Sequence, residues 1–319
     1  MDTYLTDQFL NKLPENLKAS WLPGKSSFSD FYKSISRGFF RIAVSDNNFL
    51  QFIDELKKNE PELAKALLSL ESSGKIRAFH IDSAISDELN ISGIRKGYLR
   101  QLNGGFKIPT DTIFHDLFEN RDSRDKITNK TKKPIFIEAD LTDGTIEYLF
   151  REKSFNLNIG VNFNWAKFLN SYTLPFQKIR ILDPYLYKNV DKVDLSGLLK
   201  TITNKSSFAS IEIISSGDKK QIEKFKSVLN SISGLNANLT LYCQKSDVSD
   251  TFHKRLIWTD YWVLFAERGF DFLKLNKGLG VVKKETNLFL TGKFAAKDSI
   301  WYQLENNWQD YLNAVKIVK

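Results

Sequence analysis

Thr251-Phe252-His253-Lys254-Arg255-Leu256-Ile257-Trp258-Thr259-Asp260-Tyr261-Trp262 is the stretch whose reading decides the fold. Arg255–Thr259 has strand composition, and so does Trp262–Ala266, with room for only a tight turn between them. Side chains at i and i+2 of a strand share a face. His253 at the strand entry and Arg255 therefore point to one side, and Asp260 sits in the turn. An imidazole and a guanidinium on one side can meet the same phosphate. A neutral imidazole can attack phosphorus while a nearby cation stabilises the developing anionic charge. The plainer alternative is that His253 caps the strand and Arg255 pairs with Asp183 or Asp260.

Outward from this hairpin, strands and helices alternate. Lys178-Ile179-Arg180-Ile181-Leu182-Asp183 is a short apolar strand ending in an acid, and Val193–Ile202 is a helix. Ser210–Ser215 is a strand. Asp218 caps a helix with Ile222, Phe225, Val228, Leu229 and Ile232 at helical spacing, and Leu239–Cys243 is the next strand. A helix over about Asn306–Val318 carries Trp308, Tyr311, Leu312 and Val315. The alternation predicts an α/β domain, a mixed, mostly parallel sheet flanked by helices, with its site at the carboxyl ends of strands.

The first part of the chain reads as an α+β unit. Gly38–Val44 is a strand. Ser45-Asp46 then caps a helix bearing Phe49, Phe52, Ile53 and Leu56, and Pro61 opens a second with Leu63, Ala66, Leu67 and Leu70. Gly74 ends it, and Ile76–Ile81 returns as a strand. Residues 120–133 are charge-dense and read as a linker or mobile loop. Pro134–Lys153 reads as a hairpin: Ile135, Ile137 and Ala139 alternate, Asp143-Gly144 turns, and Ile146, Tyr148 and Phe150 alternate back. These readings place a recognition or scaffold domain at 1–153 and the α/β domain at 154–319.

With 319 residues and 42% hydrophobic content, the chain can bury two cores. Its first residues are polar, with no secretory signal, and no apolar run reaches membrane-spanning length. The lone Cys243 lies in an apolar strand and reads as a small core residue. These features together predict a cytoplasmic protein with no transmembrane segment. The formal charge of +8 permits attraction to phosphate polyanions. His80 in a strand, and His115 on a helix beside Ile113, Phe114 and Leu117, read as structural. No histidine pair has metal-ligand spacing, no Cys–His cluster exists, and no phosphate-loop or dinucleotide glycine pattern is present. Neither a metal nor another cofactor is therefore expected.

The spacing His253-x-Arg255, four residues, Asp260 resembles the phospholipase-D superfamily motif, with Arg255 where that family usually has lysine. The segment Glu267-Arg268-Gly269-Phe270-Asp271-Phe272-Leu273 departs from the family's Gly-Ser and Asn pattern. It is similar instead to a divergent branch, the phospholipase-D-like C-terminal domain of MIT-domain proteins. Ile181-Leu182-Asp183-Pro184-Tyr185-Leu186 is also similar to that branch. The resemblance covers about residues 155–310. It implies His253, Arg255 and Asp260 as catalytic residues, Lys254, Arg255 and Arg268 as phosphate contacts, and Asp183, Glu267 and Asp271 in support. Active enzymes of the superfamily use two His motifs, within one chain or across a dimer, and this chain has one.

The function expected is binding of a phosphodiester polyanion, DNA or RNA, within a prokaryotic defence or mobile-element system, with the N-terminal domain available to a protein partner. Two other classes stand beside it. One is a metal-independent phosphodiesterase or nuclease working as a homodimer through His253. The other is a module for anionic lipid or a protein partner.

Overall fold

A computed structural model of the chain describes residues 2–5, 41–79, 112–114, 135–136, 147–172, 178–204, 209–232, 235, 237–244, 255–267, 270, 279–282, 284–295 and 298–318. The chain divides into two compact units, Met1–Phe150 and Arg151–Lys319.

In the first unit, β1 (Asp2–Leu5), β2 (Arg41–Ser45), β3 (Ile76–Phe79), β4 (Thr112–Phe114) and β5 (Ile135–Phe136) form one sheet in the order β3-β2-β1-β4-β5. Every pairing in it is parallel. Helices α1 (Asp46–Asn59) and α2 (Pro61–Ser72) lie between β2 and β3 in the chain, matching the strand, two helices and strand read from the sequence. Phe49, Phe52, Ile53 and Leu56 of α1 and Ala64, Leu67 and Leu70 of α2 are buried, the apolar stripe that amphipathic helices turn to a core. Gly74 ends α2 with φ +70, a left-handed conformation that favours glycine.

The second unit begins with β6 (Glu152–Leu157), β7 (Asn162–Asn164), α3 (Trp165–Asn170), β8 (Lys178–Leu182) and α4 (Leu195–Thr203). It continues with β9 (Ala209–Ser215), α5 (Lys219–Asn230), β10 (Ala237–Gln244), β11 (Leu256–Thr259), β12 (Trp262–Ala266) and β13 (Leu279–Val281). It closes with β14 (Thr286–Gly292), α6 (Ile300–Asn306), α7 (Trp308–Asn313) and β15 (Val315–Ile317). Eight strands make one mixed sheet, ordered β15-β10-β9-β8-β11-β12-β14-β6, and β13 pairs with β7 apart from it.

The mixed sheet flanked by helices is as the sequence implies, but its parallel share is smaller than expected. Parallel pairing is confined to β8, β9 and β10, where α4 and α5 supply the long crossovers that parallel neighbours need. The pairs β8–β11, β11–β12, β12–β14, β14–β6 and β10–β15 are antiparallel. The cause is local. Asp260-Tyr261 is too short a link for anything but a hairpin, and the Thr259 hydroxyl fixes it by accepting from the Tyr261 and Trp262 amides at 3.2 and 3.1 Å.

Both faces of the sheet's centre are covered. Leu182, Ile214, Tyr242, Leu256, Trp258 and Val263 pack against Trp301, Leu304 and Trp308 of α6 and α7. The opposite face buries Ile179, Ile181, Ile211, Ile213, Leu241, Ile257 and Leu264. On that side the Trp262 indole donates to the Tyr172 carbonyl at 2.8 Å, and Phe168 of α3 meets Phe155 edge-on at 5.0 Å. Strands buried on both sides read as continuous apolar runs, which is why β8 and β9 stand out in the sequence.

Three local readings are corrected. The 134–153 hairpin is not formed as expected: Ile135–Phe136 pairs in parallel with β4, and Glu147–Phe150 is a 3-10 turn. Tyr148, Leu149 and Phe150 are buried in succession, which an alternating one-faced strand cannot achieve. The helix read over 306–318 is shorter: it spans Trp308–Asn313, is separated at Asn307 from α6 before it, and gives way to β15, where β-branched Val315 and Ile317 pair along β10. Ile113 and Phe114, read as helical, are in β4. The linker at 120–133, His80 and His115 lie outside the described residues.

Candidate functional site

The carboxyl ends of β8, β9 and β10 open on the side where β11 begins and β12 ends. Register sets this edge: Leu182 pairs with Leu256, and Leu256 with Phe265, so Asp183, Arg255 and Ala266-Glu267 emerge together. Asp183 is nearly buried, and its carboxylate accepts from the Tyr185 amide at 2.8 Å, shaping the Asp183-Pro184-Tyr185 turn. That turn presents the Tyr185 ring, which is 44% exposed. The Arg255 guanidinium lies 5.1 Å from the ring centroid and donates to the Glu267 carbonyl at 3.3 Å. The Glu267 carboxylate is turned aside and accepts from the Asn287 amide at 2.8 Å.

The rest of the edge is polar and tightly held. Ser215 accepts from the Tyr187 amide at 3.1 Å, and the Ser216 hydroxyl donates to Gln244 at 2.7 Å. Asp218 and Gln221 cap α5 reciprocally. Gly217 precedes that cap, and a Cβ there would come within 3.1 Å of the Tyr187 side chain, so a larger residue would have to push its neighbours by a few tenths of an ångström. Burial and the neighbouring Cys243 hold the Tyr187 hydroxyl protonated far above the usual tyrosine range, and it donates to the Tyr242 carbonyl at 2.8 Å. Tyr187 is thus a brace beneath the edge.

Of the residues named from the sequence, Asp183, Arg255 and Glu267 share this edge. Asp260 does not join them. It sits in the β11–β12 turn at the other end of the strand, where its carboxylate accepts from the Lys178 amide at 3.0 Å. Four residues of β11 separate it from Arg255, roughly 16 Å at about 3.3 Å per residue. His253, Lys254, Arg268 and Asp271 lie outside the described residues. Arg255 forms no ion pair with Asp183 or Asp260; among the described residues its side-chain contacts are the ring and the carbonyl. The aromatic side chains of the hairpin, Trp258, Tyr261 and Trp262, are buried, and Phe265 is partly exposed.

Sequence reasoning missed Arg180. Its guanidinium lies between two indoles, 4.1 Å from the Trp258 centroid and 4.0 Å from that of Trp308. It pairs with Glu212 at 2.7 Å and Glu305 at 3.4 Å. A cation inside the run Lys178-Ile179-Arg180-Ile181-Leu182 was the available signal, because a charged residue in a buried strand requires partners. Among the described residues no group of three or more His, Cys, Asp or Glu could hold a metal ion, and no helix is long and apolar enough to cross a membrane.

Residues 162–290 match the family described as the phospholipase D-like domain at the C-terminus of MIT. No curated protein matches the chain. A similar solved structure is described as "Structure of TrmBL2, an archaeal chromatin protein, shows a novel mode of DNA binding", at 13% identity and a TM-score of 0.29. The match covers 52% of this chain and 54% of that one, so this chain spans about half of that structure's length.

Proposed function

We propose that this protein, whose C-terminal half is phospholipase D-like, binds a phosphodiester polyanion, DNA or RNA, along the carboxyl edge of its eight-stranded sheet. The observation that carries the reading is Arg255. Its guanidinium rests on the half-exposed Tyr185 ring and commits one donor to a backbone carbonyl, and no described carboxylate neutralises it. A guanidinium has five N–H donors in a planar fork, suited to two oxygens of one phosphate. Lys254 and His253 directly precede Arg255 in the sequence and are further cationic or donor side chains. The net charge of +8 supplies the long-range attraction.

The test is a titration of the full chain with single-stranded and duplex oligonucleotides across a range of salt. Binding is expected to weaken steeply with salt and to depend little on sequence, because phosphate contacts act through counterion release. Arg255→Ala should weaken it about tenfold or more, the loss expected for one charged hydrogen-bonding group. Arg255→Lys should recover part of the affinity, keeping the charge but losing the fork. Absence of binding at low salt, or wild-type affinity in Arg255→Ala, would refute the reading. Any cleavage that accompanied binding should persist in chelator and vanish in His253→Ala.

A further inference from the structure

We propose that the carboxyl edge selects single-stranded over duplex nucleic acid, and that Tyr185 makes the choice by stacking on an unpaired base beside the phosphate held by Arg255. The proposal rests on the polyanion reading of that edge and names its substrate class.

Two tyrosines of one turn have opposite fates. Tyr187 is buried, packs against Phe225 at 4.7 Å and spends its hydroxyl on the Tyr242 carbonyl. Tyr185, two residues earlier, is 44% exposed, and its ring meets the Arg255 guanidinium and no other aromatic ring among the described residues. Its hydroxyl has no hydrogen-bond partner among them. Phe289, exposed to a similar degree, is by contrast matched across the ladder by Phe265 at 6.1 Å. The fold thus leaves the Tyr185 ring in water, at a cost in unburied apolar area that an incoming flat ring would recover.

The ring is also held in place before any ligand arrives. The Asp183 carboxylate accepts from the Tyr185 amide at 2.8 Å, and the Ser216 amide donates to the Pro184 carbonyl at 3.2 Å. Leu186 and Tyr187, which follow directly, are anchored in the core. A platform fixed in this way loses little freedom on binding.

Cations flank it. In the strand order β9-β8-β11, Tyr185 follows the middle strand, Arg255 precedes the strand on one side, and Lys219 and Lys220 follow the strand on the other. The bond from Ser216 to Pro184 joins the two loops. Three neighbouring strand ends span about 10 Å. Lys188, Lys219 and Lys220 are exposed and meet no carboxylate among the described residues, whereas Lys224 and Lys226 of α5 pair with Asp191 and Glu223. An aromatic ring among unneutralised cations is the combination that binds single strands: the cations take phosphates and the ring takes a base face. In a duplex those faces are already stacked on one another, and only phosphates remain to be bound.

The test uses three probes on the full chain: a thymidine oligonucleotide, an abasic strand with the same number of phosphates, and a duplex. Wild type should bind the thymidine strand about tenfold or more tightly than the abasic one, the scale of one stacked base. Tyr185→Ala should abolish that preference while leaving abasic affinity, duplex affinity and the salt slope unchanged, because no charge is lost. Tyr185→Phe and Tyr185→Trp should keep the preference, which separates the ring's role from any effect on folding. Arg255→Ala should instead weaken all three probes and reduce the salt slope by about one.

The proposal is overturned if wild type binds abasic and thymidine strands equally, or if Tyr185→Ala weakens all three probes alike, as it would if the ring only seated Arg255. Either result leaves the polyanion reading standing so long as Arg255→Ala still weakens binding. Absence of binding to every probe at low salt ends both.

Discussion

Arg180 lies within β8 and Arg255 immediately precedes β11, the strand paired with it, yet the two positions use the same side chain in opposite ways. Arg180 is 5% exposed, enclosed by two indoles and neutralised by two glutamates. Arg255 is half-buried, rests on one ring and gives one hydrogen bond to a carbonyl. A guanidinium surrounded by carboxylates has nothing left to offer a ligand. One held, among the described residues, by a ring and a carbonyl keeps both its charge and its fork. On the proposed reading, the neutralising partner is what separates a structural arginine from one that can take a ligand. Arg180 fastens α6 and α7 to the sheet, whereas no described carboxylate pairs with Arg255.

The comparison is broken most directly at Arg180. Arg180→Ala strips a buried cation from Glu212, whose side chain is 17% exposed, and removes the filling between Trp258 and Trp308. Breaking a buried pair from one side costs about 3–5 kcal/mol. Urea unfolding followed by tryptophan emission measures this well, since Trp165, Trp258, Trp262, Trp301 and Trp308 all lie in the second unit. Arg180→Met combined with Glu212→Gln should lose less than Arg180→Ala, because the carboxylate left without Arg180 is then only that of Glu305, whose side chain is 48% exposed, and not the less exposed Glu212. A wild-type midpoint for Arg180→Ala would show that the clamp contributes nothing.

A smaller effect is expected at Tyr187. Tyr187→Phe removes the 2.8 Å bond to the Tyr242 carbonyl and should cost about 1 kcal/mol. The same residue sharpens an alkaline limit. Burial raises the pKa of Tyr187, Tyr242 and Tyr311, and Glu212 adds to the rise at Tyr242. Unfolded tyrosines ionise near about pH 10, whereas these folded ones hold their protons longer. The unfolded state thus sheds protons first, so stability is complete below about pH 10 and falls as pH rises beyond it. Unfolding midpoints should decline above that pH, and less steeply in Tyr187→Phe. The smallest stability effect belongs to Arg255→Ala, expected within about 0.5 kcal/mol of wild type because its site is open and lightly bonded. A loss as large as that of Arg180→Ala would make Arg255 structural and erase the contrast between the two positions.

The apolar strands and the capped helices were legible because each satisfies a local rule. Ile179, Ile181, Ile211 and Ile213 lie in unbroken apolar runs, and Asp218 with Gln221 writes a capping box. The hairpin at Asp260-Tyr261 was legible for the same reason. The parallel share of the sheet was not, because pairing direction depends on which strand enters next to which, and β14 and β6 are more than 120 residues apart in sequence. Of the candidate site, Arg255 and Asp183 were read as neighbours of a strand end, and register brings them to one edge. Asp260 was grouped with them by spacing alone, and spacing does not reveal that a four-residue strand carries it to the far end. Arg180 was passed over because its partners Glu212, Trp258, Glu305 and Trp308 come from three other regions of the chain. Nothing local to β8 marks them.

The strand order of the second unit also has a consequence for how the protein is made. β6 is the first strand of the unit to be synthesised, but its neighbour β14 is among the last, and β15 comes later still to cover the edge of β10. The parallel trio β8-β9-β10 can therefore assemble on the ribosome while β6 waits as an unpaired strand and β10 keeps an open edge. Such edges invite pairing with neighbouring nascent chains. The indole of Trp308 that closes over Arg180 arrives in the same final stretch. Translation pauses placed after residue 244 should favour aggregation, and a faster passage through residues 286–317 should favour recovery of folded protein.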